Sequence, residues 1–250
     1  MDFSKISYTS FIGRLLRLPL RLIPRGMVLP ILQGALKGRR WIVGAGEHGY
    51  WLGSYELGKR RSFERTIFPG AVVVDIGANV GYFSLLAAVL AGKTGRVFAI
   101  EPSPRNADYI RRHVRLNKLS TVTVIEAAVS DRNGEAFFDL GASIATGHLS
   151  ESGQIRVDLV TLDSLLVEES LLPPDFIKID VEGAEFAVLQ GAKDVLTQHR
   201  PVLFMDTHAR EAHQPTVAFL EDLGYTFEIL DGKPLPETKE FIAWPGDSPG

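Results

Sequence analysis

From residue 71 onward, short apolar runs rich in β-branched residues alternate with longer stretches whose apolar positions recur at helical spacing. Residues 71–75, 96–101, 122–129, 176–180 and 201–206 read as strands, and 80–91, 104–118, 184–196 and 216–223 as helices. Ser103 stands as an N-cap with Pro104 at the first helical position, and Gly224 ends the helix over 216–223. Asn133-Gly134 is a hairpin turn signal with 135–140 as the returning strand, and 155–160 reads as an edge strand. Residues 225–230 and 241–244 form a closing pair joined through Asp231-Gly232. Strands alternating with helices predict an α/β fold, a mostly parallel sheet covered on both faces.

The first 70 residues follow another pattern. Residues 11–32 mix Leu and Ile with Arg and are interrupted by Pro19, Pro24 and Pro30. Arg14, Arg17, Arg21 and Arg25 would form one stripe on a helix, giving a basic amphipathic segment suited to an anionic membrane surface. Packing on the body or on a second copy of the chain competes with that reading, and Pro19 weakens the helix. The arginines also break the apolar run and argue against a signal peptide. Residues 41–56 are rich in Gly and aromatics and read as loops and short strands.

Charge sharpens the division. Residues 1–70 hold 12 Lys/Arg against 4 Asp/Glu, and residues 71–250 hold 15 against 26. The result is a basic arm on an acidic body, and an acidic body argues against a nucleic-acid partner. The 250 residues contain no cysteine, which excludes disulfides, Cys-ligated metals and a thiol nucleophile. No uncharged apolar run approaches the roughly 18 residues of a membrane span, so a cytoplasmic location is expected, with peripheral contact at the inner membrane surface if the basic arm binds lipid.

The densest chemical signal is Val72-Val73-Val74-Asp75-Ile76-Gly77-Ala78-Asn79-Val80-Gly81, a strand running into a glycine turn and then a helix. Gly77 permits a tight turn and Gly81 a close helix approach. The following strand ends in Glu101, where a carboxylate meets ribose hydroxyls in nucleoside-binding βαβ units. Gly44-Ala45-Gly46-Glu47-His48-Gly49 also matches G-x-G-x-x-G, but Gly53 and Gly58 break the next stretch of chain and no helix pattern succeeds it, so it reads as a loop.

The segment from Asp75 to Gly81 resembles the first motif of class I S-adenosylmethionine (SAM)-dependent methyltransferases, with Asn79 in place of the middle glycine. With Phe176-Ile177-Lys178-Ile179-Asp180-Val181-Glu182-Gly183-Ala184-Glu185, Glu101-Pro102-Ser103-Pro104-Arg105-Asn106, Thr161-Leu162-Asp163 and Leu189-Gln190-Gly191-Ala192, the chain is similar to the FkbM-type branch. The resemblance runs from about residue 41 to about 208. It implies a Rossmann-like sheet of seven strands closed by an antiparallel hairpin, SAM as methyl donor, and a hydroxyl on a sugar, glycan or small natural product as acceptor. Carried over, Asp75, Gly77, Ala78, Asn79 and Gly81 serve the methionine end and Glu101-Pro102 the ribose. For adenine, Glu126, Ser130, Asp131 or backbone groups are candidates. The domain reading is a basic arm or cap over 1–69, bordering the acceptor site, and a SAM-binding domain over 70–250.

Asp180, Glu182, Asp206 and His208 stand at or just past predicted strand ends, where open α/β sheets place ligands. His208 is the natural base, with Asp180 and Asp206 as partners or alternatives. Lys178 shares a strand face with Asp180 and reads first as a buried ion-pair partner. No residue is assigned to a metal. His113 and His199 are expected to be structural; His48, His148, Tyr50, Trp51 and Tyr55 either border the acceptor or pack the arm. Two other readings stay open: a nicotinamide oxidoreductase on a similar sheet, and a non-catalytic membrane-surface protein. Nitrogen methylation and homo-oligomer formation also stay open.

Overall fold

The computed structural model describes residues 19–141, 147–150, 152–168, 170–208 and 210–246. A 3-10 turn at Pro19–Leu22 precedes β1 (Val28–Pro30) and β2 (Arg40–Ile42), an antiparallel pair, and then α1 (His48–Leu52) and α2 (Leu57–Thr66). The body begins with β3 (Val72–Ile76), α3 (Tyr82–Ala91), β4 (Arg96–Ile100), α4 (Pro104–Asn117) and β5 (Val122–Ile125). A smaller sheet comes next, from β6 (Ala128–Val129), β7 (Gly134–Asp139), β8 (His148–Ser150) and β9 (Ile155–Val160). The chain then runs through α5 (Leu162–Val167), β10 (Phe176–Ile179), α6 (Glu185–Gln190), α7 (Lys193–His199), β11 (Val202–Asp206), α8 (Arg210–Asp222), β12 (Tyr225–Ile229) and β13 (Glu240–Pro245).

The main sheet has seven strands in the order β12-β13-β11-β10-β3-β4-β5, parallel throughout except for β13, which is antiparallel to both neighbours. The chain winds outward from β3 through β4 to β5, then crosses back to β10 beside β3. The carboxyl ends of β3 and β10 therefore flank the topological switch point, where such sheets bind ligands. β10 is buried at every position, as a strand covered on both faces must be. On one face Val73, Leu85, Phe63, Phe204 and Trp41 pack together; on the other, Val74, Ile177, Leu189, Leu203 and Phe241.

The described part of residues 1–69 joins that first core. Trp41 is fully buried and stacks on His113 at 3.9 Å. His113 donates from Nδ1 to the Val80 carbonyl at 2.9 Å and accepts the Ile42 N–H on Nε2 at 3.2 Å. Burial pushes its pKa down to about 4, so it is a neutral tie between the arm and the body.

Several elements differ from the sequence pattern. The strand expected over 122–129 stops at Ile125, and β6 belongs to the smaller sheet. The strand after Asn133-Gly134 does not fold back on β6: β9 lies between them, parallel to β6 and antiparallel to β7. The side chain of Asn133 explains this, since its Oδ1 accepts the Thr161 N–H at 2.8 Å and the Ser164 hydroxyl at 3.0 Å and ties the turn to the end of β9. The helix expected over 184–196 breaks at Gly191, where a Cβ would lie 2.0 Å from the Ser130 carbonyl oxygen. Helix α8 begins earlier than expected and continues past Pro215. The stretch 41–56, read as loops and short strands, includes the short helix α1. Residues 11–18 of the amphipathic segment lie outside the described residues. Past Leu22 the chain is not helical, so Arg25 does not extend the stripe, and Leu20 and Ile23 pack on the core. Among the described residues no helix is long and apolar enough to cross a membrane.

Candidate active site

The strand ends are stitched together by backbone. Gly77 and Ala78 both donate to the Ile100 carbonyl, at 3.0 and 3.1 Å, and Asp180 donates to Ile76 at 3.2 Å. Gly77 has φ +70°, and a Cβ there would sit 1.9 Å from the Asp180 carbonyl oxygen, so only glycine lets these two turns meet. Asn79 has φ +51°. That conformation explains the replaced glycine, because Asn is among the few other residues that adopt it readily. Gly81, at φ +88°, starts α3 with room for Ile110 of α4 only 3.1 Å from where a Cβ would be.

A cleft opens over these ends, lined by Gly77, Asn79, Glu101, Pro102, Asp180, Glu182, Asp206 and His208 among others. Glu101 is buried and receives the Asn79 N–H at 2.9 Å, the Ser103 N–H at 3.1 Å and the Asn106 amide at 3.2 Å. Burial outweighs these bonds and pushes its pKa up to about 7. One wall is apolar, from Ala127, Ala128, Val129, Phe138 and Leu149.

The opposite side is a lattice of charges. Lys178 Nζ, fully buried, lies 3.2 Å from Asp180 and 3.4 Å from Asp75. Lys59 Nζ, 4% exposed, pairs with Asp206 and, at 2.7 Å, with Glu56. Both lysines sit 5.6 Å from the Phe83 ring centroid. Burial opposes charge on each lysine, but Asp206 and Glu56 for Lys59, and Asp180 and Asp75 for Lys178, overcome it and raise both pKa values. Burial works against charge on Asp180 too, yet Lys178 and Lys59 hold its pKa below the usual value. Asp206 is pushed up to about 7 by burial and by Asp180.

His208 lines the cleft as well. Its Nδ1 donates to Glu185 Oε1 at 3.1 Å, and its Nε2 lies 3.5 Å from both Asp180 and Glu182. The bond to Glu185 leads in raising its pKa to about 9, against partial burial and with help from Asp180 and Glu182. Asp180, Glu182 and His208 each offer an atom within 4.8 Å of the others.

The cleft thus gathers Gly77, Asn79, Glu101, Pro102, Asp180, Glu182, Asp206 and His208. Asp75 lies beneath it, 1% exposed, accepting the Ser84 hydroxyl at 2.6 Å and acting on the cleft through Lys178. Ala78 lines a smaller neighbouring pocket, and Gly81 serves helix packing. Glu126 pairs with Arg111 at 2.8 Å on the exposed side, while its neighbours Ala127 and Ala128 line the cleft. Tyr55 lines the cleft; Tyr50 stacks behind it at 4.1 Å, and Trp51 is buried with its indole N–H donated to His48 at 3.1 Å. Sequence reasoning missed Glu56 and Lys59 because Gly53 and Gly58 masked α2. The one available hint was charge at helical spacing, Glu56 with Lys59 and Arg60 with Glu64. The tethering roles of Asn106 and Glu185 had no separate signal within their motifs.

Residues 75–227 match the family model described as the methyltransferase FkbM domain. The chain is 34% identical over 184 residues to the 2-O-methyltransferase NoeI of Sinorhizobium fredii, covering 65% of this chain and 74% of that protein. It is 26% identical over 160 residues to the hexuronic acid methyltransferase AglP of Haloferax volcanii, covering 63% of this chain and 64% of that protein, just under two thirds. The 31-O-demethyl-FK506 methyltransferase FkbM of Streptomyces tacrolimicus is 26% identical over 202 residues, 67% of this chain and 76% of that one. Among solved structures, the methyltransferase FkbM of Methylobacillus flagellatus superposes with a TM-score of 0.50 at 16% identity, over 79% of this chain and 55% of that chain. That last likeness speaks for the fold.

Proposed function

The chain belongs to the FkbM methyltransferase family, and on that footing we propose that it transfers a methyl group from SAM to a hydroxyl of a sugar or small natural product. Two of the relatives are named for O-methyl transfer and one for a hexuronic acid. The family implies SAM as donor. The side chains present fit that molecule. Glu101 offers carboxylate oxygens where vicinal hydroxyls need acceptors. Ala127, Ala128, Val129 and Phe138 give an apolar wall for a purine. Acids outnumber cations on the other side, as a sulfonium cation requires.

The donor brings a methyl group already activated on sulfur. What remains for the protein is alignment and removal of the acceptor proton. Glu101 would hold the ribose, with Asn79 and Ser103 fixing its carboxylate from the backbone. His208 Nε2, when neutral, takes the acceptor proton, while Glu185 fixes the ring through Nδ1. Asp180 and Glu182 then offset the imidazolium charge. A cation bound in the same cleft opposes imidazole protonation, which favours the basic form. Tyr55, Glu56 and Lys59 reach this cleft from the described part of residues 1–69, which supports reading that segment as a cap on the acceptor side.

The observation that carries the reading is His208, held by Glu185 with Nε2 facing the cleft that Glu101 floors. The test is transfer of labelled methyl from SAM into glycan and polyketide panels. Label in a base-stable ether of a hydroxyl compound is the expected result. Label on nitrogen, or donor binding with no transfer to any panel member, would overturn it.

A further inference from the structure

We propose that Lys59 is a positioning residue of this site, carried in on α2 to hold the Asp206 carboxylate as an anion at the end of β11 beside Asp180. The proposal rests on the reading of the cleft as the reaction site, and it concerns a residue outside the family match, which begins at 75.

Asp206 ends β11 and Asp180 follows β10, so parallel pairing sets the buried Asp206 carboxylate beside the partly buried carboxylate of Asp180. Like charges that close cannot both stay ionised in a poorly solvated site without cations between them. Lys178 serves Asp180 and Asp75 at 3.2 and 3.4 Å. Lys59 serves Asp206, and the Asp206 carboxylate accepts a hydrogen bond from its ammonium. The groups facing this pair are Glu56 on α2 itself, Asp180 and Lys178 from β10 and its turn, Asp75 from β3, His208 just past β11, and Glu240 of β13, which pairs with Asp206 across the sheet. Acids dominate that group, so loss of one lysine favours protonation of Asp206.

The ammonium is held by two carboxylates, Asp206 and Glu56. Lys59 is 4% exposed, too buried to serve as surface charge, and its Nζ lies 5.6 Å from the Phe83 ring centroid. A lysine buried only to hold a helix down would be costly compared with an apolar residue. Its position between Glu56 and Asp206 means that each partner competes for it, and this competition gives a signed prediction.

The experiment is carbon-13 NMR of the full-length protein labelled at aspartate carboxyls, titrated from pH 5 to 10, with Asp206→Asn identifying the signal. Lys59→Met should raise the Asp206 midpoint by more than one unit, a tenfold gain in proton affinity. Lys59→Arg should stay close to wild type. Glu56→Gln, which frees the ammonium from its second partner, should lower the midpoint. If Lys59→Met does not fold, the sign of the Glu56→Gln shift decides. An unmoved midpoint in Lys59→Met, or an upward one in Glu56→Gln, would overturn the proposal. The titration needs neither donor nor acceptor, so its failure is separate from failure of the methyl-transfer reading. Where an acceptor is in hand, the acidic limb of the labelled-methyl rate should shift in the same order, and a loss uniform across pH would overturn the positioning role.

Discussion

Glu101 and Asp206 are both buried carboxylates at the carboxyl ends of strands of one sheet, and both are pushed up to about 7 by burial. They are held in opposite ways. Glu101 is fixed by neutral dipoles: two backbone N–H groups and the Asn106 amide. Asp206 is fixed by a full charge, Lys59, which arrives on a helix from the other end of the chain. Neutral donors set a carboxylate's direction without cancelling its charge. An ammonium sets direction and cancels charge together, and it leaves a strongly uncompensated group if removed: about 3–5 kcal/mol for a buried pair, against about 1.5–3 kcal/mol for a single hydrogen bond to a carboxylate. The Glu101 side of the cleft is therefore built to tolerate loss of one contact better than the Asp206 side.

The largest expected effect lies at the backbone that both sides share. Gly77→Val forces a β-branched residue to φ +70° and drives its Cβ into the Asp180 carbonyl. The strained φ alone costs about 1–3 kcal/mol, and the clash adds to it. Circular dichroism and SAM calorimetry should show an unfolded protein or one without measurable donor binding; near-normal binding would mean that the two turns do not meet as described.

The next effect separates the two sides. His208→Asn should lower methyl transfer roughly 100-fold or more while leaving SAM affinity close to wild type. The wild-type rate should rise with pH toward about 9, the range to which Glu185 raises the imidazole. The same shift has a sign for stability. The folded pKa lies above the unfolded one, so the contribution is complete below about 6.5 and is lost as pH rises through about 9. Thermal midpoints of wild type and His208→Asn should thus converge on the alkaline side. Parallel curves across pH 6–10 would contradict the Glu185 bond.

The Glu101 side of the cleft was largely legible in the sequence because it is local. Asp75, Gly77, Asn79 and Gly81 follow one strand, and Glu101 ends the next; backbone geometry does the rest. Even Asn79 in a glycine position is explained by its φ. The charged side was legible only in part. Asp180 and His208 could be placed at strand ends, and Lys178 could be paired by its two-residue spacing. Lys59 meets Asp206 across 147 residues, and no local pattern encodes that meeting. Glu126 shows the reverse failure: an acid near the right strand end whose side chain turns outward to Arg111 as the chain leaves the main sheet.

Donor binding at Glu101 is the central claim, because it orients every other contact in the cleft. Calorimetry with SAM on wild type, Glu101→Ala and Glu126→Ala tests it in one series. Loss of charge-assisted bonds to the ribose should weaken Glu101→Ala by about 1.5–3 kcal/mol, roughly 10- to 150-fold, and leave Glu126→Ala within about threefold of wild type. Unchanged affinity in Glu101→Ala would contradict the placement of the donor, and with it the orientation of the whole cleft.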